Sequence, residues 1–110
     1  MHDVLLVLTN VPDHEAAREM ARDLVERRVA ACVNLLPGVS SIYQWQGKVE
    51  ETAEVTMLIK TARDRYAELE AAIKEAHPYE LPEIIAIPVV SGLPGYLSWV
   101  LSETKKGVDV

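Results

Sequence analysis

Two continuous apolar runs, one near the start of the chain and one in its last third, set the strongest limit on the fold. Residues 4–8 are Val-Leu-Leu-Val-Leu, and residues 84–90 are Ile-Ile-Ala-Ile-Pro-Val-Val. Runs without polar alternation are typical of strands that are covered on both faces. The first run is too short for a membrane span or the core of a signal peptide. It predicts a central strand, whereas Pro88 predicts an edge or a bulge near the end of the second run.

Two helical patterns lie between the predicted strands. The first has Asp13 as its N-cap and continues to about Arg28. The second can be capped by Thr61 or Asp64, and it ends at His77. The side chains predicted to face the core are Ala17, Met20, Ala21, Leu24, Val25, Tyr66, Leu69, Ile73 and Ala76, and those predicted to face solvent include Arg65, Glu68, Glu70 and Lys74.

The segment between the two helical patterns predicts a long antiparallel hairpin. A strand at residues 31–36 is expected to break at residues 37–38, which are Pro-Gly. The chain then resumes as two arms, residues 39–46 and residues 49–60. Gly47, at the first position of a Gly-Lys loop, predicts a type II′ turn.

The hairpin carries two aromatic side chains on one face, because Tyr43 and Trp45 alternate with the side chains of the other face. A two-stranded arm of this length is marginally stable by itself. We therefore expect Tyr43 and Trp45 to pack on something outside the small domain, at a subunit interface.

The order of elements is strand, helix, two strands, helix and strand, followed by a last helix from Tyr96 to about Lys105. It predicts an α+β, ferredoxin-like split βαβ sandwich that occupies residues 1–110 as one domain. Right-handed crossovers place both main helices on one face of the sheet. The last helix is too short to cover the apolar side chains of the opposite face, so we expect several copies to associate through it.

Charge and cysteine content narrow the choice of partners. The net charge is −6 and the isoelectric point is near 5.0, which argues against a nucleic-acid partner and favours a cationic ligand. Cys32 is the single cysteine, so no internal disulfide or cysteine cluster can form. It is expected to be a small buried hydrophobe without a basic neighbour. We expect a cytoplasmic protein that does not enter a membrane.

Residues 77–83, His-Pro-Tyr-Glu-Leu-Pro-Glu, bring imidazole, phenol and carboxylate groups together in a shorter space than any other stretch of the sequence. The two prolines stiffen this connection and exclude a helix. His77, Tyr79 and Glu83 are therefore presented from a nearly fixed scaffold at the edge of the sheet. This arrangement is a candidate site, and the simpler alternative is a helix end at which the helix dipole favours histidine.

Five segments carry a family resemblance. They are Ala-Ala-Cys-Val-Asn at 30–34, Ser-Ile-Tyr-Gln-Trp-Gln-Gly-Lys at 41–48, Leu-Ile-Lys-Thr at 58–61, His-Pro-Tyr-Glu-Leu-Pro-Glu-Ile at 77–84 and Tyr-Leu-Ser-Trp at 96–99. Over nearly the whole chain they resemble the CutA divalent-cation tolerance proteins. The resemblance implies a cytoplasmic homotrimer, similar in architecture to the P-II signalling proteins, in which the hairpins join neighbouring subunits. It also implies a role in tolerance of copper and other divalent metals.

The metal ligands follow only from this resemblance. In some bacterial members the proposed copper ligands are a cysteine at the end of the first strand and a His-His pair at the end of the second helix. Here Thr9 replaces that cysteine and Ala76 replaces the first histidine, so only His77 remains. His77 and Glu83 are the predicted ligands of a weakly bound Cu²⁺ or other divalent ion, which is not required for folding.

Three classes of function remain open. The first is a trimeric metal-binding protein, and the second is a P-II-like sensor with a small-molecule cleft between subunits. The third is an enzyme with His77 as a general base oriented by Glu83, but no nucleophile accompanies them, so we do not expect an enzyme. The residues predicted to form the cleft or the interface are Tyr43, Trp45, Lys60, Tyr79 and Trp99.

Overall fold

The computed structural model describes residues 3–106 as one antiparallel sheet with helices on both faces. The strands are β1 Val4–Val11, β2 Cys32–Trp45, β3 Lys48–Ala62 and β4 Ile85–Pro88, and the helices are α1 His14–Glu26, α2 Tyr66–Ala76 and α3 Pro94–Glu103. The strand order is β2-β3-β1-β4. This order confirms the predicted ferredoxin-like fold. Residues 1–2 and 107–110 of the predicted domain lie outside the described residues.

Strand β1 is central, as its continuous apolar sequence predicted. It pairs with β3 along its whole length, from Val4 opposite Ala62 to Val11 opposite Val55. On its other side it pairs with β4, which is an edge strand shorter than predicted. Pro88 is the last residue of this edge strand. Its lack of an N–H there removes no hydrogen bond between strands.

Helix α1 begins as predicted, because the Asp13 carboxylate accepts a hydrogen bond of 2.8 Å from the Ala16 N–H. It ends at Glu26, two residues earlier than predicted. The chain turns at Arg28, which has a φ of 60° and so cannot continue the helix. Val25 was predicted to face the core, but it is exposed.

Helix α2 begins differently from the prediction. The Thr61 hydroxyl donates a 2.7 Å hydrogen bond to the Val29 carbonyl, so it is not a helix cap. A 3-10 turn at Arg63–Arg65, which contains Asp64, precedes the helix instead. A tertiary hydrogen bond thus occupies the Thr61 side chain, which the local sequence pattern had predicted to cap the helix.

Two side-chain orientations predicted for the second helical pattern were also incorrect. Arg65 is buried, where its guanidinium donates to the Arg28 carbonyl and pairs with Glu68. Ala76, the last residue of the helix, is exposed. The buried residues of the helix are Leu69, Ala72 and Ile73.

The hairpin is longer and more continuous than predicted. Strand β2 runs through Pro37 and Gly38 without a break, and a register shift between Leu36 and Val39 absorbs them as a bulge. Gly38 has a φ of 75°, a conformation that suits glycine. The predicted break is therefore a kink inside one strand of 14 residues.

The turn of the hairpin is one residue earlier than predicted. Trp45 pairs with Lys48, so the loop is Gln46 and Gly47. Their φ values are 51° and 81°, and two positive values are typical of a type I′ turn, not of the expected type II′ turn.

The two faces of the sheet are covered unequally. Helices α1 and α2 cover one face, and the main core there includes Val7, Leu24, Met57, Ile59, Leu69 and Ile73. Helix α3 lies on the opposite face, where Val100 packs with Val4 and Ala31 at one end of the sheet. We call the remainder of this second face the open face. It exposes Leu36, Ile85 and Ile87, as predicted for a helix too short to cover it.

Helices long and apolar enough to cross a membrane are absent from residues 3–106.

Candidate functional site

A cleft of about 720 Å³ lies where the half of the hairpin nearest its turn meets the segment 78–83. The sheet register places Tyr43 and Trp45 on the open face, on the same side as Glu54 of β3. The residues that line the cleft are Asn10, Ser41, Ile42, Tyr43, Trp45, Thr52, Glu54, Pro78, Tyr79, Glu80, Leu81 and Glu83. This volume is in the usual range of a small-molecule site, about 300–1,000 Å³.

His77 supports the cleft from behind and does not line it. Its side chain is only 8% exposed. The Nδ1 atom accepts a hydrogen bond of 3.1 Å from the Tyr79 N–H, so the proton of the neutral ring is on Nε2, which lies 2.7 Å from the Asn10 carbonyl oxygen. Both nitrogens are therefore occupied, and His77 holds the segment 78–83 against the end of β1.

Tyr79 and Glu54 form the inner wall of the cleft. The Tyr79 hydroxyl donates a 2.9 Å hydrogen bond to Oε2 of Glu54. Burial, together with this hydrogen bond to a carboxylate, raises the pKa of Tyr79 to about 12. The Tyr79 ring also contacts His77, with ring centroids 4.8 Å apart. Tyr79 therefore remains a proton donor over the physiological pH range.

Asn10 links two strands, β1 and β3, to the segment 78–83. Its side-chain N–H donates to Glu83 at 2.9 Å, and its side-chain oxygen accepts from the Thr56 hydroxyl at 2.6 Å. Asn10 was not among the residues that the sequence predicted for the site. Its position, as a polar residue near the end of a mostly apolar central strand, is the sequence feature that could have identified it.

Tyr43 and Trp45 lie on the outer wall of the cleft, where they are 42% and 39% exposed. The Tyr43 hydroxyl lies 2.8 Å from the Thr52 hydroxyl across the hairpin. Half-exposed aromatic side chains on one face agree with the predicted face of the hairpin, and whether a subunit interface covers them stays a prediction.

Lys60 and Trp99 were predicted to share a cleft with these aromatic residues, but in the single chain they lie elsewhere. Lys60 contacts Asn34 and lies 3.8 Å from the sulfur of Cys32, near the end of β3 that is farther from the hairpin turn. Trp99 packs on Tyr96 with ring centroids 5.6 Å apart. The expectation that Cys32 has no basic neighbour was wrong, because strand pairing brings Lys60 opposite it.

The predicted metal ligands are near each other but are not arranged as a metal site. His77 and Glu83 both bond to Asn10, and His77 would have to give up one hydrogen bond to bind a metal. Within residues 3–106 there is no group of three His, Cys, Asp or Glu side chains that could hold a metal ion. Thr9 is fully buried and its hydroxyl has no hydrogen-bond partner, whereas Ala76 is exposed.

The cleft is strongly acidic for its size. Glu54, Glu80 and Glu83 line it, and the lining contains no lysine, arginine or histidine. Charge in a partly water-excluded cleft interacts more strongly than charge in bulk water. The cleft therefore favours a cation over an anion.

Comparison with known proteins gives consistent results. The family described as CutA1 divalent ion tolerance protein matches residues 5–103. The Divalent-cation tolerance protein CutA of Thermus thermophilus is 46% identical over 99 residues, which are 90% of this chain and 96% of that protein. Protein CutA of Mus musculus is 49% identical over 94 residues, which are 86% of this chain. This chain spans about half the length of the mouse and human relatives, 53% and 55%.

Solved structures agree with the sequence relatives. The divalent cation tolerance protein of Thermus thermophilus superposes with a TM-score of 0.90 at 46% identity, covering 92% of this chain and 98% of that one. CutA1 of Oryza sativa superposes with a TM-score of 0.91 at 36% identity, covering 94% and 95%. The chain therefore belongs to the CutA1 divalent ion tolerance protein family.

Proposed function

We propose that this protein is a non-catalytic, cytoplasmic homotrimer that binds divalent cations weakly and contributes to their tolerance. The observation that carries this proposal is the acidic cleft, whose three carboxylates have no lysine, arginine or histidine among the lining residues. Membership of the CutA1 family supports the general role in divalent-cation tolerance.

The open face supports the trimer. Ile85 and Ile87 on β4 are 49% and 45% exposed, and Leu36 on β2, at the opposite edge of the sheet, is also exposed. Large apolar side chains exposed along both edges of one face are typical of association surfaces. Light scattering should give three times the chain mass of 12.2 kDa at micromolar concentration. A well-behaved monomer would contradict the assembly.

Copper is the divalent ion for which the ligand types are best suited. Imidazole and carboxylate groups bind Cu²⁺ more tightly than Mg²⁺ or Ca²⁺. Because His77 must first release a hydrogen bond and because residues 3–106 contain no three-ligand cluster, we expect dissociation constants on the order of micromolar or weaker. Protons compete for the same ligand atoms, so binding should weaken on acidification.

The test is a calorimetric Cu²⁺ titration of the parent, His77→Ala, Glu83→Gln and His2→Ala. His77→Ala should remove most of the specific heat, and Glu83→Gln, at an exposed position, should remove part of it. If His2→Ala alone abolishes the heat, the signal comes from the amino-terminal residues and the proposed ligands are wrong. A chelator should leave the melting temperature unchanged, since the core forms without metal ligands.

A P-II-like small-molecule sensor is the second candidate function, and the volume and aromatic lining of the cleft favour it. The sequence predicts an anion or metabolite in a cleft between subunits near Lys60, and a single chain does not test that placement. The cleft within one chain has carboxylates and no lysine in its lining, so a cationic small molecule fits that cleft better.

A scan of melting temperature against metal ions, nucleotides and organic cations separates the two candidates, because a ligand of the native state alone raises the melting temperature. Shifts with divalent metals only would favour the first candidate. Shifts with organic molecules only would favour the second, and turnover without an equilibrium ligand would contradict both.

A further inference from the structure

Glu54 is a buried carboxylate whose charge is not balanced. It is 8% exposed, and its hydrogen-bond partner is the neutral Tyr79 hydroxyl on Oε2. The ion pairs among residues 3–106 do not include Glu54. A carboxylate can accept about four hydrogen bonds. Because an unpaired charge is costly to bury, a cationic partner at Glu54 would stabilise the site.

The walls around Glu54 are aromatic. Tyr43, Trp45 and Tyr79 all line the same cleft, and Leu81 adds an apolar surface at 72% exposure. Aromatic faces attract cations through the quadrupole of the ring, most strongly when the cation is partly desolvated. An aromatic wall next to a buried carboxylate therefore selects an organic cation that has flat apolar faces.

A metal ion has few ligands in this cleft, in keeping with the weak metal binding proposed above, whereas an organic cation can also contact the aromatic walls. The three glutamates of the lining do not form a group that could hold a metal ion, as no such group occurs in residues 3–106. Glu83 accepts a hydrogen bond from Asn10 and Glu54 accepts one from Tyr79, so each keeps acceptor capacity for a ligand, as does Glu80 in the same lining. These carboxylates can each bind a different part of an extended, delocalised cation.

We propose that the cleft binds a guanidinium group, which donates to Glu54 and lies against the aromatic rings of Tyr43, Trp45 and Tyr79. Guanidinium is planar, donates in a fork that matches a carboxylate and stacks on aromatic faces, whereas ammonium is a compact and strongly hydrated point charge. Both a free guanidinium metabolite and the arginine side chain of a peptide carry this group. This inference deepens the second candidate function, in which the cleft lies between subunits, and rests on that function. Tyr43 and Trp45 then contribute both to the subunit interface and to the guanidinium site.

The direct test compares methylguanidinium with methylurea, a neutral molecule of nearly the same shape. Both are titrated at millimolar concentration into the full-length protein while the indole signals of Trp45 and Trp99 are followed by NMR. We expect methylguanidinium to bind at least about ten-fold more tightly than methylurea, a difference of about 1.4 kcal/mol. The Trp45 signal should shift and the Trp99 signal should not, because Trp99 is outside the cleft lining.

A matched pair of variants assigns the effect to Glu54. Glu54→Gln keeps an oxygen that can accept from Tyr79 and should reduce affinity for methylguanidinium about ten-fold. Glu51→Gln removes the same charge from the same strand, three residues away on the other face of the hairpin, and should change it less than about two-fold. If Glu54→Gln fails to fold, Glu80→Gln, at an exposed position in the lining, should still weaken binding measurably.

Two further ligands separate the possible sources. Agmatine represents a free metabolite, and the peptide acetyl-Gly-Arg-Gly-amide represents an arginine side chain. Tighter binding of either one supports the guanidinium site and identifies its source. Equal binding of methylguanidinium and methylurea, or equal losses in Glu54→Gln and Glu51→Gln, would overturn the inference. If nucleotides then still raised the melting temperature, the sensor function would survive without it.

Discussion

Ile59 and Ile73 on the helix-covered face of the sheet are fully buried, whereas Ile85 and Ile87 on the open face are about half exposed. Both pairs are branched apolar side chains in regular secondary structure. The first pair packs against α1 and α2 within one chain, and the second pair has no layer above it within residues 3–106. Within a single chain, the helix-covered face of the sheet therefore forms a complete core, whereas the open face remains a surface for binding.

The polar side chains of the two faces also differ in the partners that balance their charge or accept their hydrogen bonds. On the covered face Thr61 donates to a backbone carbonyl, and the guanidinium of Arg65 pairs with Glu68. On the open face the buried Glu54 has only a phenol as its partner. The unbalanced charge of Glu54 and the exposed apolar side chains thus occur on the same face, which is typical of a functional surface.

The largest effect is expected for a truncation in the covered core. Ile73→Ala leaves a cavity beneath α2 and should lower the free energy of unfolding by about 3–4 kcal/mol. Ile85→Ala removes the same atoms from a half-exposed site and should cost less than about 2 kcal/mol. Urea unfolding of both variants measures the difference, and equal costs would contradict the proposed contrast between the faces.

Trp45→Ala tests whether copies of the chain cover the open face. It should weaken assembly by about 2 kcal/mol or more and should lower the melting temperature in a way that depends on protein concentration. Val49→Ala, on the other face of the hairpin at 67% exposure, is the control and should have little effect. A Trp45 variant as stable as the parent at every concentration would remove this residue from the interface.

Thr9 and Thr61 show that burial alone does not make a polar group stabilising. Both are fully buried on the covered face, but the Thr9 hydroxyl has no partner and the Thr61 hydroxyl donates to Val29. Thr9→Val keeps the shape and should raise the free energy of unfolding by about 1 kcal/mol. Thr61→Val should lower it by about 1 kcal/mol. Changes of the same sign in thermal or urea unfolding would contradict this account.

The smallest effect concerns the pH dependence of the cleft. The pKa of Tyr79 is about 12 in the folded chain and near 10.0 when unperturbed. Below pH 10 both states keep the proton, so this stabilisation is fully present. Between these values the unfolded chain releases it first, and the stabilisation is lost as pH rises through 12. Tyr79→Phe should therefore flatten the alkaline fall in stability.

The same titration can be followed directly by NMR of labelled tyrosine. Glu54→Gln should lower the pKa of Tyr79, because it removes both the charged acceptor and its field. Glu51→Gln, on the opposite face of the hairpin, should leave it unchanged. A Tyr79 that titrates near 10.0 in the parent would show that Glu54 does not hold its proton.

The sequence by itself determined the order of elements, because the information for them is local. The apolar run at residues 4–8 predicted the central strand, and Asp13 predicted the start of α1. The bulge at residues 37–38 and the turn at Gln46 and Gly47 were assigned incorrectly. Both depend on strand register, which pairing across the whole hairpin decides.

The tertiary structure alone decided the chemistry of the site. His77 has a fixed tautomer because the carbonyl of Asn10, 67 positions away, accepts its proton. Glu54 meets Tyr79 from 25 positions away, and strand pairing carries Lys60 to Cys32 and away from the cleft. A periodic pattern predicts which face of an element is buried, but the partner of a polar atom is determined by packing between distant segments.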